Sequence, residues 1–229
     1  MLTLYFSGTG NTEYLAKKFS ERMAATCFSI EETADFPVEI AKHEEIAICY
    51  PIYGSRVPLI MREFVAANMA NLQEKRLIIL VTQMIFSGDG ARVLCDLFPQ
   101  GVNVIYAEHF LMPNNICNFP LFRRQKNSQA KLAKMERKLT ATCENIRNSV
   151  IKKRGFSSVS RILGKIQGKS WQGDSKNAHV ADGTMEYKAK NGVQIDADCN
   201  ACGLCVNICP MKNLETDGEK ISHKNNCTV

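Results

Sequence analysis

An α/β fold, with a parallel sheet and a small cysteine-bearing module at its C-terminal end, is predicted by three observations. Five short apolar runs alternate with longer amphipathic stretches over the first 120 residues, the pattern of parallel strands joined by crossover helices. A glycine-rich turn, Ser7-Gly8-Thr9-Gly10-Asn11-Thr12, directly follows the first run, and four cysteines fall within eleven residues near the C-terminus. The chain has 229 residues, 45% of them hydrophobic and 23% charged, which excludes disordered and fibrous classes. That length supports one substantial core with an appendage.

The strands are read at Leu2 to Phe6, Ala25 to Ile30, Glu45 to Tyr50, Arg76 to Thr82 and Val102 to Glu108, each rich in Ile, Leu, Val or Tyr and bounded by turn residues. Helices are expected over Thr12 to Ala24, Pro58 to Ala70 and Gly90 to Leu97, with Pro58 in the first turn, where its missing N–H costs nothing. A longer helix is expected over Arg124 to Lys153. There Leu132, Met135, Leu139, Cys143, Ile146 and Val150 recur every three or four positions, so one face packs while Lys and Arg cover the other. From Gly155 to Gly192 Ser, Gly, Lys and Asn dominate, with a short amphipathic piece around Val159 to Ile166. The expected organisation is a domain over 1–153, a basic linker with one small helix over 154–192, and a module over 193–229. Trp171, the single tryptophan, is expected to pin the linker to a neighbouring surface.

The turn after the first strand has phosphate-loop character. Gly8 and Gly10 allow close approach of an anion, the N–H groups at the helix start point at it, and the hydroxyls of Ser7, Thr9 and Thr12 add donors. No Lys or Arg lies inside it and no third glycine follows, so neither the nucleotide P-loop nor the dinucleotide fingerprint is met. The run Tyr5-Phe6-Ser7-Gly8-Thr9-Gly10-Asn11-Thr12 resembles the FMN phosphate loop of flavodoxins. That resemblance, covering roughly residues 1–110, implies a doubly wound five-stranded parallel sheet of order 2-1-3-4-5, with FMN at the carboxyl ends of the strands.

Two further loops resemble flavin loops. Tyr50 to Pro58 offers Pro51, Ile52, Tyr53 and Gly54 on a turn, with Tyr53 placed to stack on an isoalloxazine. Thr82 to Gly90 offers Thr82, Gln83 and Phe86, with Gly88 or Gly90 as the close-approach residue beside the ring edge. The segment Phe110 to Asn115 looks like an element of proteins that fuse a flavodoxin to a ferredoxin, and composition alone assigns it nothing.

Cys199, Cys202, Cys205 and Cys209, followed by Pro210, match the spacing by which bacterial ferredoxins hold [4Fe-4S] clusters. A structural zinc site is the competing reading, and zinc modules space their ligand pairs more widely. In two-cluster ferredoxins the fourth cysteine serves the other cluster, so Cys209 calls for a second run. Cys227 lies where that run would begin, and Thr228 and Val229 follow it. Five of eight ligands are therefore expected, in a module that looks incomplete. Cys27, Cys49, Cys95, Cys117 and Cys143 read as small apolar residues.

Net charge is +6, distributed as −4 over residues 1–120, +12 over 121–190 and −2 over 191–229. The basic excess reads as a solvated helix face or as a docking surface for a redox donor or acceptor. No apolar run approaches the length of a membrane span, and the start has no basic region of a secretory signal, so a cytoplasmic protein is expected. The resemblance implies an electron-transfer protein using FMN and one or two [4Fe-4S] clusters in an anaerobe. An FMN-dependent reductase of a quinone or another small acceptor is the second reading. A cluster-sensing protein that binds nucleic acid or an acidic partner ranks last, because it leaves the flavin loop without a task. His43, His109, His179 and His223 have no motif partners and are expected to be surface or satisfied core residues.

Overall fold

Leu77 to Val81 is inaccessible to solvent at every position, as a strand covered by helices on both faces must be. It lies inside a six-stranded parallel sheet in the computed structural model, which describes residues 1–113, 128–172, 182–190, 192–209, 211–225 and 227. The strands are β1 (Leu2–Tyr5), β2 (Thr26–Ser29), β3 (Glu45–Pro51), β4 (Arg76–Gln83), β5 (Asn103–Leu111) and β6 (Lys152–Lys153), in the order β2-β1-β3-β4-β5-β6. The order expected for five strands is present, with a short sixth added at the edge.

Side-chain alternation sends each strand into two cores. On one face Leu2, Leu4, Ile46, Ile48, Leu77, Ile79 and Val81 pack under α2 (Phe36–Ala41), α3 (Leu59–Ala67), α4 (Met69–Leu72) and a 3-10 helix (Arg92–Leu97). On the other, Tyr5, Ala47, Cys49, Ile78, Leu80, Tyr106 and Phe110 meet Leu15 and Phe19 of α1 (Asn11–Met23) and Met135, Leu139 and Cys143 of α5 (Ser128–Arg147).

Several elements differ from their sequence expectation. Helix α2 is too short, at six residues, to show a helical period in the sequence, although Asp35 caps it by accepting from the Val38 N–H at 3.2 Å and Pro37 sits in its first turn. The helix expected over Pro58 to Ala70 breaks at Asn68, whose backbone leaves helical geometry. The piece expected as a helix over Gly90 to Leu97 is the shorter 3-10 element. Helix α5 ends at Arg147, and Val150 is exposed rather than packed; residues 124–127 lie outside the described residues.

Lys152 and Lys153 leave the helical pattern to pair with β5, and a carboxylate supplies the reason. Glu108 of β5 is fully buried and meets Lys152 at 2.7 Å, Lys138 of α5 at 2.8 Å and Arg154 at 3.5 Å. Burial pushes the Glu108 carboxyl up, but hydrogen bonds from Lys138 and Lys152 outweigh it and hold the group below the usual range.

The segment expected as a linker forms α6 (Ser158–Gln172) and α7 (Met185–Lys190), both packed on the domain. Helix α6 turns Gly164, Gly168 and Gln172 inward, four residues apart on one face. A Cβ on Gly164 would come within 1.8 Å of the Asp89 carboxylate, and one on Gly168 within 2.2 Å of the Arg56 guanidinium. The inward face is therefore tailored for close approach. Glu186 of α7 is buried against Arg62 of α3 in a two-pronged pair at 3.1 and 3.0 Å. The Val57 carbonyl accepts from both Arg62 at 2.9 Å and Gln172 at 2.7 Å.

Near the C-terminus, α8 (Leu204–Ile208) precedes an antiparallel hairpin of β7 (Leu214–Thr216) and β8 (Ile221–His223). No helix among the described residues is long and apolar enough to cross a membrane.

Removing one partner of a buried ion pair strands the other charge. Glu186→Ala is expected to lower unfolding free energy by about 3–5 kcal/mol, read by urea denaturation. Arg62→Met with Glu186→Leu should recover most of that loss.

Candidate cofactor site

The carboxyl ends of β1, β3 and β4 bring three loops to one edge of the sheet. After β1, Gly8, Thr9 and Gly10 are exposed. Gly10 takes the N-cap position of α1 in a left-handed conformation (φ +90°) with no side-chain cap, so N–H groups of the first turn keep their anion-binding character. The Ser7 hydroxyl accepts from the Gly10 N–H at 3.1 Å. Asn11 donates to the Pro113 carbonyl at 2.8 Å, tying this loop to the end of β5. The Thr12 hydroxyl is spent inside the protein, 2.8 Å from that of Thr82. Of the three hydroxyls expected to serve a phosphate, Ser7 and Thr9 lie on the loop and Thr12 does not.

After β3, the Ile52 N–H is held by the Thr82 carbonyl at 3.0 Å. Tyr53 and Arg56 exchange backbone hydrogen bonds at 3.2 and 3.0 Å, closing a turn whose central residues, Gly54 (φ +56°) and Ser55 (φ +62°), are both left-handed. That is the tight hairpin turn that favours glycine. Gly54 is required a second time by packing, because a Cβ there would sit 2.5 Å from the Trp171 Cβ. The Trp171 ring lies 6.3 Å from that of Tyr53 at 31°, so Trp171 does pin its segment to a neighbouring surface. The Tyr53 hydroxyl reaches across to Gly8, 2.9 Å from where a Cβ would stand. Burial, with a smaller contribution from the nearby Cys227 thiol, pushes the Tyr53 phenol up and keeps it protonated.

After β4, Gln83 is oriented by a relay. Ala91 N–H donates to His109 Nε2 at 3.4 Å, His109 Nδ1 meets the Ser87 hydroxyl at 2.5 Å, and Ser87 donates to Gln83 Oε1. These partners assign the proton to Nδ1. His109 is thus a satisfied core histidine, and burial followed by repulsion from Arg154 lowers its pKa to about 4. Gly88 and Gly90 face the protein. A Cβ on Gly88 would meet Gly164 of α6 at 2.6 Å, and one on Gly90 would meet Ile52 at 2.2 Å. Of the residues expected on this loop, Phe86 is half-exposed and Gln83 half-buried, while Thr82, Gly88 and Gly90 are buried.

The cysteine cluster is less closely assembled. Cys199, Cys202 and Cys205 are exposed, and Cys209 and Cys227 are half-buried. Left-handed Ala201 and Gly203 turn the chain into α8, and the Cys209 sulfur accepts from the Asn213 N–H at 3.3 Å. Among the described residues no three His, Cys, Asp or Glu side chains converge to hold a metal ion. The donor chemistry suits an iron–sulfur cluster, whereas this arrangement of the sulfurs does not enclose one. Pro210 lies outside the described residues.

Sequence reasoning missed the contribution of α6 to these loops. The Gly164 to Gly168 spacing of four was the available signal, since small residues so spaced mark a closely approached helix face.

The strand order and the uncapped glycine loop at the sheet edge define a doubly wound α/β protein of the flavodoxin-like class. The model of the flavodoxin domain family matches residues 2–118, and the chain belongs to that family. Similar solved structures include a two-electron reduced flavodoxin of Megasphaera elsdenii, at 20% identity over 60% of this chain and 99% of that one, with a TM-score of 0.43. A flavodoxin, WrbA-like protein of Agrobacterium tumefaciens is 16% identical over 65% and 97%, with a TM-score of 0.47. A flavodoxin from the domain Archaea is 16% identical over 64% and 97%, with a TM-score of 0.43. No curated protein matches the chain.

Two outcomes follow from this geometry. Gly54→Ala adds a strained backbone and a collision with Trp171, and should lower the thermal midpoint by several degrees. For His109, the unfolded imidazole takes a proton near its ordinary value of 6.5, while the folded one refuses it until about 4. Stability should therefore fall as pH drops through that window and be unaffected by this group below it, by up to about 3 kcal/mol in all. Urea midpoints measured across pH should lose that dependence in His109→Gln.

Proposed function

We propose that this chain is an electron-transfer flavoprotein that binds FMN at the three loops and exchanges electrons with a separate redox protein, the cysteines of residues 193–229 being the ligands offered for a [4Fe-4S] cluster. The observation that carries the FMN reading is the exposed Gly8–Gly10 turn at the N-terminus of α1, which has no side-chain cap. In this reading the N–H groups of Gly8, Thr9 and Asn11 and the hydroxyls of Ser7 and Thr9 hold the phosphate without a lysine or arginine, through backbone dipoles. Thr12 and Thr82, bonded to each other, fix the loop to β4. Pro51, Ile52, Tyr53 and Gly54 border the ring, and Gln83 and Phe86 border its edge. Gly88 and Gly90 act indirectly, by letting α6 and Ile52 close behind the loop.

When bound, FMN supplies exchange of one or two electrons, and an iron–sulfur cluster passes one. The chain's own contribution is to hold Tyr53 neutral beside the ring and to lock the Gln83 amide through Ser87 and His109. The iron–sulfur part of the reading rests on the spacing of Cys199, Cys202, Cys205, Cys209 and Cys227.

FMN and riboflavin titrations, followed by flavin fluorescence, test the phosphate loop. Thr9→Glu places a carboxylate where the phosphate would lie and should weaken FMN at least about a hundredfold. Riboflavin, which lacks the phosphate, should change little. Equal weakening of both, or no FMN binding by the parent chain, would refute the assignment.

A further inference from the structure

Helix α6 is amphipathic in the reverse sense for a helix packed on a domain. Its glycine face is buried, while Val159, Ile162, Leu163 and Ile166, at i, i+3, i+4 and i+7, are 67%, 61%, 44% and 69% exposed. Burying that stripe would be favourable, and leaving it in water has no structural return on this domain. The exposed cations Arg161, Lys165 and Lys169 flank it, and no acidic residue occurs over Ser158–Gln172.

Two neighbours extend the surface. Gly88 touches Gly164, so the loop carrying Ile85 (65% exposed) and Phe86 (50% exposed) abuts the helix on its way from β4. Beside Arg161 and Lys165 opens a cleft of about 320 Å³. Within that cleft Arg92 is already neutralised by Asp89 and Asp96, and Arg62 by Glu186. The charge presented at its rim by α6 is therefore positive and ready to meet carboxylates.

An apolar centre, a charged rim and continuity with a candidate cofactor loop are the anatomy of a protein docking site rather than of a uniform membrane-facing strip. We propose that the outer face of α6, with the Ile85–Phe86 loop tip, is the docking surface for an acidic one-electron carrier protein. This rests on the electron-transfer reading above and identifies the partner's chemistry. The apolar stripe supplies affinity, the cations steer the encounter, and the small patch suits a weak, rapidly dissociating complex.

The test uses the FMN-loaded full chain, with an acidic bacterial ferredoxin as probe and binding read by calorimetry. Binding should weaken about tenfold or more from low to physiological salt. Ile162→Ser with Ile166→Ser should weaken it about tenfold or more. Lys165→Glu with Lys169→Glu should do the same and remove the salt dependence. Because all four side chains are exposed, thermal midpoint and bound flavin should match the parent. Unchanged binding in both variants, equal binding of the basic cytochrome c, sedimentation with phosphatidylglycerol vesicles, or self-association through this face would each overturn the docking surface. Flavin absorbance separates the two readings: a chain that retains no FMN refutes the electron-transfer function, whereas one that retains FMN but ignores both variants refutes only the docking site.

Discussion

The buried pairing of Arg62 with Glu186 is the constraint on which the placement of α6 and α7 against the sheet domain depends. Two ions removed from water demand complete compensation. Here each guanidinium prong meets a carboxylate oxygen, and the Val57 carbonyl takes a further Arg62 N–H. Gln172 donates to the same carbonyl. One cluster therefore fixes α3, α6, α7 and the hairpin that carries Tyr53, elements separated by more than a hundred residues in the chain.

Around that anchor, contact is made by what side chains omit. Gly54 admits Trp171, Gly88 admits Gly164, and Gly168 admits Arg56. Helix α6 thus reaches the backbone of two candidate cofactor loops and stiffens them from behind, while Ser7 to Gly10 remains open in front. The relay from Ala91 through His109 and Ser87 to Gln83 serves the same end, and it holds only while the imidazole is neutral. Packing inward by glycine also explains why the aliphatic residues of α6 face outward.

Glu108 and the cysteine run are contrasting cases. Glu108 gathers three cations, Lys138 of α5, Lys152 of the edge strand and Arg154 just beyond it, so one buried carboxylate ties the long helix and the sixth strand to β5. The cysteines carry an informative spacing, yet α8 and its left-handed entry leave three of the thiols exposed, and among the described residues no three metal-binding side chains converge. Spacing along a chain specifies which ligands are offered, and only the fold specifies whether they meet.

The apolar runs by themselves determined the parallel sheet and its two cores, because strands buried on both faces must be continuously hydrophobic. Ser7 to Thr12 likewise marked the candidate phosphate loop, since a glycine turn between strand and helix is a local property. Other features depended on partners distant in sequence. Thr12 turned inward because Thr82 lay beside it, and Gly88 and Gly90 were covered because α6 and Ile52 packed there. Nothing in the local sequence marks Glu186 as buried, and Arg62 placed opposite it makes it so. The basic segment read as a linker because its composition is polar, and its order comes from a buried ion pair and glycine contacts that hydrophobic periodicity does not record. Tertiary structure alone decided these features, because burial and charge pairing depend on which distant groups share a volume.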